Sequence, residues 1–198
     1  GFHHLALVDN DLNCCATLRH NRPDWNVIAT DVRSLHGSEF SGLDLLAAGL
    51  PCPPFSIAGQ KLGKSDERDL FPAALRLITE IRPKAVMIEN VKGILQRSFD
   101  PYRHEISKKL RKLGYKSEWK LLNASHFGVP QLRPRAVLVA LLGDLFPLFS
   151  WPDSGESSLP PTVGETLYPM MSSKGWLGAA EWRDRARSAR ASSARRAE

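Results

Sequence analysis

The 198-residue chain is short of cysteine, of long apolar runs and of any leader-like start. Three cysteines, Cys14, Cys15 and Cys52, cannot all pair, and neither the adjacent pair nor the wide gap has the spacing of a zinc site. This argues against a disulfide framework and against a metal centre, and it suits a reducing, intracellular setting. No apolar run approaches the roughly 20 residues that a spanning helix needs, so no membrane segment is expected. The opening "GFHHLALVDN" lacks the basic-then-apolar order of a signal peptide and does not start with methionine. A chain that enters an apolar, strand-like run within a few residues reads as a piece of something longer. There is no internal repeat.

What is present is ordinary in amount and uneven in sign. Apolar residues make up 42% and charged residues 24%, which fits a soluble domain and excludes neither an enzyme nor a binding module. Lysine and arginine exceed the acidic residues to give a net charge of +6 and a pI near 9.4, a balance that favours a polyanionic partner such as nucleic acid. The length allows one domain with a sizeable core and the start of a second.

Nearly unbroken apolar runs at His4–Asp9, Trp25–Asp31, Gly42–Pro51 and Lys84–Asn90 predict four strands buried on both faces, as in a parallel sheet. Helical patterns alternate with them: "DLNCCATLRHN", "RDLFPAALRLITEIRP" ended by Pro83, and "YRHEISKKLRKLGY" ended by Gly114. "RAVLVALLG" adds a late strand, with "YKSEWKLLNAS" before it as a hairpin partner. Alternation of this kind predicts an α/β, doubly wound, mostly parallel sheet. Beyond Phe149 the composition shifts to Pro, Ser and Gly, and the tail carries six arginines among Ala and Ser. The tail reads as a solvated or disordered end in preference to a basic helix on nucleic acid.

Ligands of open α/β sheets sit beyond the carboxyl ends of the strands. That rule selects Asp9, Asp31, Pro51 with Cys52, and Glu89 with Asn90. Acidic residues closing two successive strands suit the hydroxyl and amine groups of a nucleoside-like cofactor; helix capping by Asp9, Asp11 and Asp31 is the competing account. Most lone cysteines are inert small hydrophobes. Cys52 differs, because Pro51, Pro53 and Pro54 deny it a helix interior or a central ladder position and set it on a stiff turn at a strand end. Gly59, Lys61, Gly63 and Lys64 follow in a basic loop, while Cys14 and Cys15 fall inside a helical pattern and read as structural. Glu89 is a costly choice at the end of an apolar strand unless it caps "VKGIL" or does chemistry. Arg133 and Arg135, two apart at a strand entry, would share one face.

"PCPPFS", "ENVKG" and "QLRPR", in this order and at these separations, resemble the signature motifs of the DNA cytosine-5 methyltransferases. The similarity runs from Phe2 to about Leu142. It includes "LVDND", "TDV" at Thr30–Val32, "DERDLF" at Asp66–Phe71 and "NASHFGVPQ" at Asn123–Gln131.

The resemblance implies a Rossmann-like S-adenosylmethionine-dependent methyltransferase fold acting on double-stranded DNA. Cys52 would attack carbon 6 of a flipped-out cytosine, protonated Glu89 would hydrogen-bond the ring nitrogen at position 3, and Arg135, supported by Arg133, would hold the base. For S-adenosylmethionine, Asp9 maps to the ribose hydroxyls and Asn10 to the vicinity of the adenine. Asp31 and Val32 map to the adenine amine and face, with Leu50, Pro51 and Leu70 lining the site. Ser56, Gln60, Lys61 and Lys64 would lie on a loop that closes over DNA.

Nothing in the chain corresponds to the family's opening glycine-rich loop, and the target-recognition domain and final helix do not follow. The resemblance therefore implies a fragment: residues 1–149 a partial catalytic domain, and residues 150–198 a linker and the start of the target-recognition region, partly disordered. A monomer is expected, with a cognate restriction enzyme as a possible companion. The competing reading is a catalytically incomplete remnant that at most binds DNA; an RNA substrate for the same motif set stays open. A thiol hydrolase using Cys52 is the weaker alternative, since downstream histidines are limited to His104 and His126 and no oxyanion-hole pattern is evident.

Overall fold

The structure, a computed structural model, describes residues 2–51, 69–153 and 161–194, with backbone alone for 190–194. It divides into two compact units, Gly1–Lys120 with Ala136–Ser150, and Leu121–Arg135 with Trp151–Glu198.

In the first unit the predicted alternation is present. Strand β1 (Leu7–Asp9) leads to α1 (Leu12–Asn21), then β2 (Val27–Ala29), β3 (Leu45–Gly49), α2 (Phe71–Ile81), β4 (Ala85–Val91) and α3 (Asp100–Lys112). β5 (Tyr115–Asn123) and β6 (Pro134–Leu142) complete the strands. Local signals set the helix ends. Asp11 caps α1 by accepting from the Asn13 and Cys14 amides, while Pro72 and Pro101 occupy the first turns of α2 and α3, where no amide partner is lost. Helix α2 closes on Arg82, which takes a left-handed conformation (φ 56°), just before Pro83.

The strands form two ladders among the described residues. β1 pairs in parallel with β2, and a four-stranded sheet has the order β3-β4-β6-β5. β3 and β4 are parallel, running in register from Leu45 opposite Ala85 to Gly49 opposite Glu89. Leu142, at the end of β6, donates to the Lys84 carbonyl just before β4, so β6 runs antiparallel to β4.

The core lies on one face of the larger sheet. Phe71, Ala74, Leu75 and Ile78 of α2 and Ile106 and Leu110 of α3 pack on Val86 and Ile88 of β4 and on Ala136, Leu138 and Ala140 of β6. The expectation that every strand is buried on both faces is not met. Val86, Ile88 and Asn90 are fully buried, whereas Met87 on the opposite face is 42% exposed. The reason is the placement of helix: α2 and α3 share one side of this sheet, while α1 serves β1 and β2. Behind the core, Tyr115 donates from its buried hydroxyl to the Pro83 carbonyl (2.5 Å). The Arg82 guanidinium sits 5.9 Å from the centre of the same ring and binds the Leu113 carbonyl (2.7 Å).

In the second unit, residues 121–135 form the tip of the β5–β6 hairpin, where Ala124 donates to the Arg133 carbonyl (3.2 Å). Helices α4 (Val163–Ser173) and α5 (Ala179–Ala194) pack against each other; a Cβ on Gly164 would lie 3.0 Å from Ala186. A reciprocal capping box between Thr162 and Glu165 starts α4. The described part of the tail is helical through Ala194, and its Arg183, Arg185 and Arg187 meet carboxylates described below.

Tyr115→Phe removes the hydroxyl and leaves the Pro83 carbonyl buried without that donor. A loss of about 1 kcal/mol is expected, seen as a fall of about 2–4 °C in Tm by calorimetry.

Candidate active site at the carboxyl ends of the strands

The parallel ladders bring the selected residues together in two groups. At the end of β1, Asp9 stands opposite Ala29, and its carbonyl accepts the Thr30 amide (3.0 Å), so Asp9 and Asp31 leave their strands side by side. One oxygen of the Asp9 carboxylate accepts from the Asp11 amide (2.8 Å), and the other has no hydrogen-bond partner among the described residues. Asn10 beside it is exposed, and Val32 is half-buried.

Asp31 caps the short 3-10 turn Val32–Ser34 and holds Arg33 in a fork: the Arg33 amide at 2.8 Å, Nε at 3.0 Å from each oxygen and Nη2 at 2.6 Å. These hydrogen bonds, the Arg33 side chain first, hold the Asp31 carboxyl down at about 2. The capping account of Asp11 and Asp31 is therefore correct as far as it goes, and it does not exhaust Asp31, whose partner Arg33 is 60% exposed.

At the second group, Gly49 stands opposite Glu89, and the Leu50 amide donates to the Glu89 carbonyl (3.3 Å). The Glu89 carboxylate leans across Gly49, 3.8 Å from where a Cβ would be. Asn90 points to the other face and is fully buried. Its side-chain amide reaches the Leu50 carbonyl (3.5 Å), and its oxygen accepts the Val91 amide (2.9 Å). Asn90 thus ties down Leu50 and the exposed Pro51, the last described residues before Cys52. Sequence reasoning passed over this role; the signal was an amide inside a strand that is otherwise apolar.

Cys52, Ser56, Gln60, Lys61 and Lys64 lie outside the described residues. Past them, Leu70 caps α2 and packs on the core. Asp69 accepts from the Phe71 amide (3.0 Å) and from the Tyr102 hydroxyl (2.5 Å). The adjoining cavity, lined by Asp69, Phe71 and Tyr102 among others, is about 40 Å³, room for little more than a water.

The remaining cysteines differ from each other. Cys15 is fully buried, with its thiol on the Asp9 carbonyl (3.4 Å), and is structural as expected. Cys14 is exposed, on the outer side of α1. The Asp11 carboxylate pushes its thiol up in pKa, away from the thiolate that attacks.

In the second unit, Arg133 falls just outside β6 and is exposed, so strand alternation does not govern its direction; Arg135 lies inside the strand and donates to the Pro134 carbonyl (3.0 Å). Asn123 organises this turn by accepting from the Arg133 amide (3.0 Å) and the Ser125 amide (3.4 Å). On α5, Arg183 pairs with Asp184 (2.8 Å), Arg185 with Glu181 (3.6 Å) and Arg187 with Glu165 (2.9 Å). The helix is rich in arginine, but at these three positions its charge is matched.

Among the described residues no helix is long and apolar enough to cross a membrane, and no cluster of three metal-ligating side chains occurs.

Parallel strands with acidic residues at their carboxyl ends, followed by an antiparallel hairpin at the sheet's edge, define the Rossmann-like fold of S-adenosylmethionine-dependent methyltransferases. Solved structures agree. DNMT2 of Spodoptera frugiperda superposes with a TM-score of 0.62 at 23% identity, covering 79% of this chain and 49% of that one. A putative DNA modification methyltransferase encoded within an Escherichia coli prophage superposes at 0.66 and 22%, covering 85% and 49%.

Residues 1–194 match the C-5 cytosine-specific DNA methylase family, and the chain belongs to it. It is 54% identical over 183 residues to the Type II methyltransferase M.NgoMIV of Neisseria gonorrhoeae, covering 92% of this chain and 58% of that protein. It is 49% identical over 185 residues to M.NaeI of Lentzea aerocolonigenes, covering 92% and 44%. The chain therefore spans about half the length of the curated relatives it matches.

The Asp31–Arg33 fork gives a pH signature. Because the folded-state carboxyl sits below its ordinary 3.8, its stabilising effect is complete above that value and is lost as pH falls toward about 2. In Arg33→Ala the Asp31 carboxyl should titrate closer to its ordinary value, as followed by carboxyl-carbon NMR.

Proposed function

We propose that these residues belong to a DNA cytosine-5 methyltransferase that moves the methyl group of S-adenosylmethionine to carbon 5 of a cytosine flipped out of duplex DNA. The observation that carries the reading is the in-register pairing of β3 with β4. It sets Gly49, three residues before Cys52 in the sequence, beside the carboxylate of Glu89, with the Leu50 amide on the Glu89 carbonyl.

Carbon 5 of cytosine is a weak nucleophile until carbon 6 is attacked. The Cys52 thiolate forms the sulfur–carbon 6 bond, and the displaced electron pair moves toward ring nitrogen 3. Glu89 hydrogen-bonds or protonates that nitrogen, which leaves carbon 5 enamine-like. When bound, S-adenosylmethionine supplies an electrophilic methyl on a sulfonium whose leaving group is a neutral thioether. Loss of the carbon 5 proton to a base then expels the Cys52 thiolate and restores the ring. Arg135, supported by Arg133, holds the base, and Ser56, Gln60, Lys61 and Lys64 contact the DNA. The Asp11 carboxylate beside Cys14 and the burial of Cys15 leave Cys52 as the thiol suited to the attack.

The strand-end residues fit the cofactor. The uncommitted oxygen of Asp9 can accept a ribose hydroxyl, with Asn10 next to it. Asp31 can accept the adenine amine once Arg33 turns aside, and Val32 offers an apolar face. Leu50, Pro51 and Leu70 supply further apolar lining. The substrate is double-stranded DNA, in keeping with the net charge of +6, and the Type II relatives suggest a restriction-modification setting.

The second reading, a chain that binds DNA without turning over, draws on the separation of the described strands into two ladders. Trapping on duplex DNA bearing 5-fluorocytosine distinguishes the two, because fluorine at carbon 5 blocks the final elimination. With S-adenosylmethionine present, a denaturation-resistant adduct is expected with the native sequence and not with Cys52→Ser. Salt-sensitive DNA binding with no adduct would overturn the first reading for this chain and support the second.

A further inference from the structure

The turn that presents Asp31 and Val32 has no strand of its own. It is held by short-range bonds, Ser34 amide to Asp31 carbonyl (2.9 Å) and Leu35 amide to Val32 carbonyl (3.3 Å), followed by a second short 3-10 turn at Gly37–Phe40. Side chains of α2 tie it to the body of the first unit. Nη2 of Arg76 donates to the carbonyls of Val32 (3.2 Å) and Arg33 (3.3 Å), more than 40 residues away in sequence. Nη1 of the same guanidinium binds Oε1 of Glu80 one helical turn on (2.7 Å), and Oε2 of Glu80 accepts the amide of Gly37 (2.6 Å).

One ion pair on one helix therefore grips the adenine-side segment at two points. The grip is close. Gly37 is buried, and a Cβ there would come within 2.7 Å of the Glu80 Cβ and 2.9 Å of Ile81. A solvated i,i+4 pair on a helix contributes little to stability by itself. This pair differs because each partner also hydrogen-bonds the backbone of the same segment. A guanidinium is the right group here, because its planar fork serves a carboxylate with one nitrogen and two carbonyls with another, which an ammonium cannot do in fixed geometry.

We propose that Arg76, braced by Glu80, is a positioning residue for recognition of the adenine base: it touches no cofactor atom and sets the height of the turn on which Asp31 and Val32 meet the ring. The inference rests on the reading that places adenine at Asp31 and Val32. The Asp31 carboxylate must meet an exocyclic amine within hydrogen-bond range, and displacement of the turn by an ångström forfeits that contact while leaving the ribose contact of Asp9, on the neighbouring strand, in place.

The test compares two ligands that differ only at the base, S-adenosylhomocysteine and its hypoxanthine analogue, by calorimetric titration of the 198-residue chain. The native sequence should prefer the adenine ligand. Arg76→Ala should bind it about tenfold more weakly, the loss expected for one hydrogen bond, while affinity for the hypoxanthine analogue changes less than about twofold. Arg76→Lys, which keeps the charge opposite Glu80, should behave like Arg76→Ala; thermal unfolding without ligand verifies that both variants fold, and Arg76→Lys carries the test if Arg76→Ala does not. Equal weakening of both ligands, unchanged affinity, or full rescue by lysine would overturn the proposal, since each assigns Arg76 a role in stability alone. A native chain that binds both ligands equally would overturn the placement of adenine at Asp31, and the proposal with it.

Discussion

In a parallel ladder both chains run out at the same end, and the pairing of Leu45–Gly49 with Ala85–Glu89 decides which side chains meet there. Side chains alternate along β4, so Glu89 faces the open side and Asn90 the core. A slip of one residue would exchange them, burying a carboxylate and exposing the amide that anchors Leu50. The apolar stretch Val86, Ile88 against α2 and α3 prevents that slip. Core packing and site geometry are consequently one constraint, since the face that buries apolar area also aims Glu89 away from it.

Element order was legible in the sequence because the strands are apolar runs and α2 and α3 carry their own stops, Pro83 and Gly114. Strand length was less so: His4–Asp9 and Trp25–Asp31 yield ladders of three residues, since polar flanks such as Asn26 and Thr30 bind across the pair without extending it. Two-sided burial was misjudged because Met87 reads as core in a sequence and becomes surface when both neighbouring helices choose the other side. Among the candidate site residues, Asp9, Asp31, Pro51 and Glu89 could be picked by their place at strand ends, whereas Leu50 came from the resemblance alone. Arg76 could not, because its partners are tertiary neighbours, and Arg133 only in part, because one residue decides whether alternation applies.

Charge is distributed less simply than its total suggests. The arginines of α5 at positions 183, 185 and 187 each meet a carboxylate, so the segment that looks most basic in the sequence contributes little net field there. By contrast, Lys108, Lys109, Arg111 and Lys112 at the end of α3 are exposed and have no carboxylate within ion-pair distance among the described residues. Their position at a helix C-terminus is favourable in itself, because the helix dipole is negative there.

The end position of β3 in the larger sheet has a further consequence. Among the described residues β3 has a ladder partner on one side alone, and Ala47 and Gly49 are exposed along it. Among the described residues no strand pairs with the amides and carbonyls of that outer edge, and such an edge is a template for an extended chain. Main-chain pairing with another extended segment is thus a kind of contact that the net charge alone does not describe, and β3 is where the larger sheet would accept it.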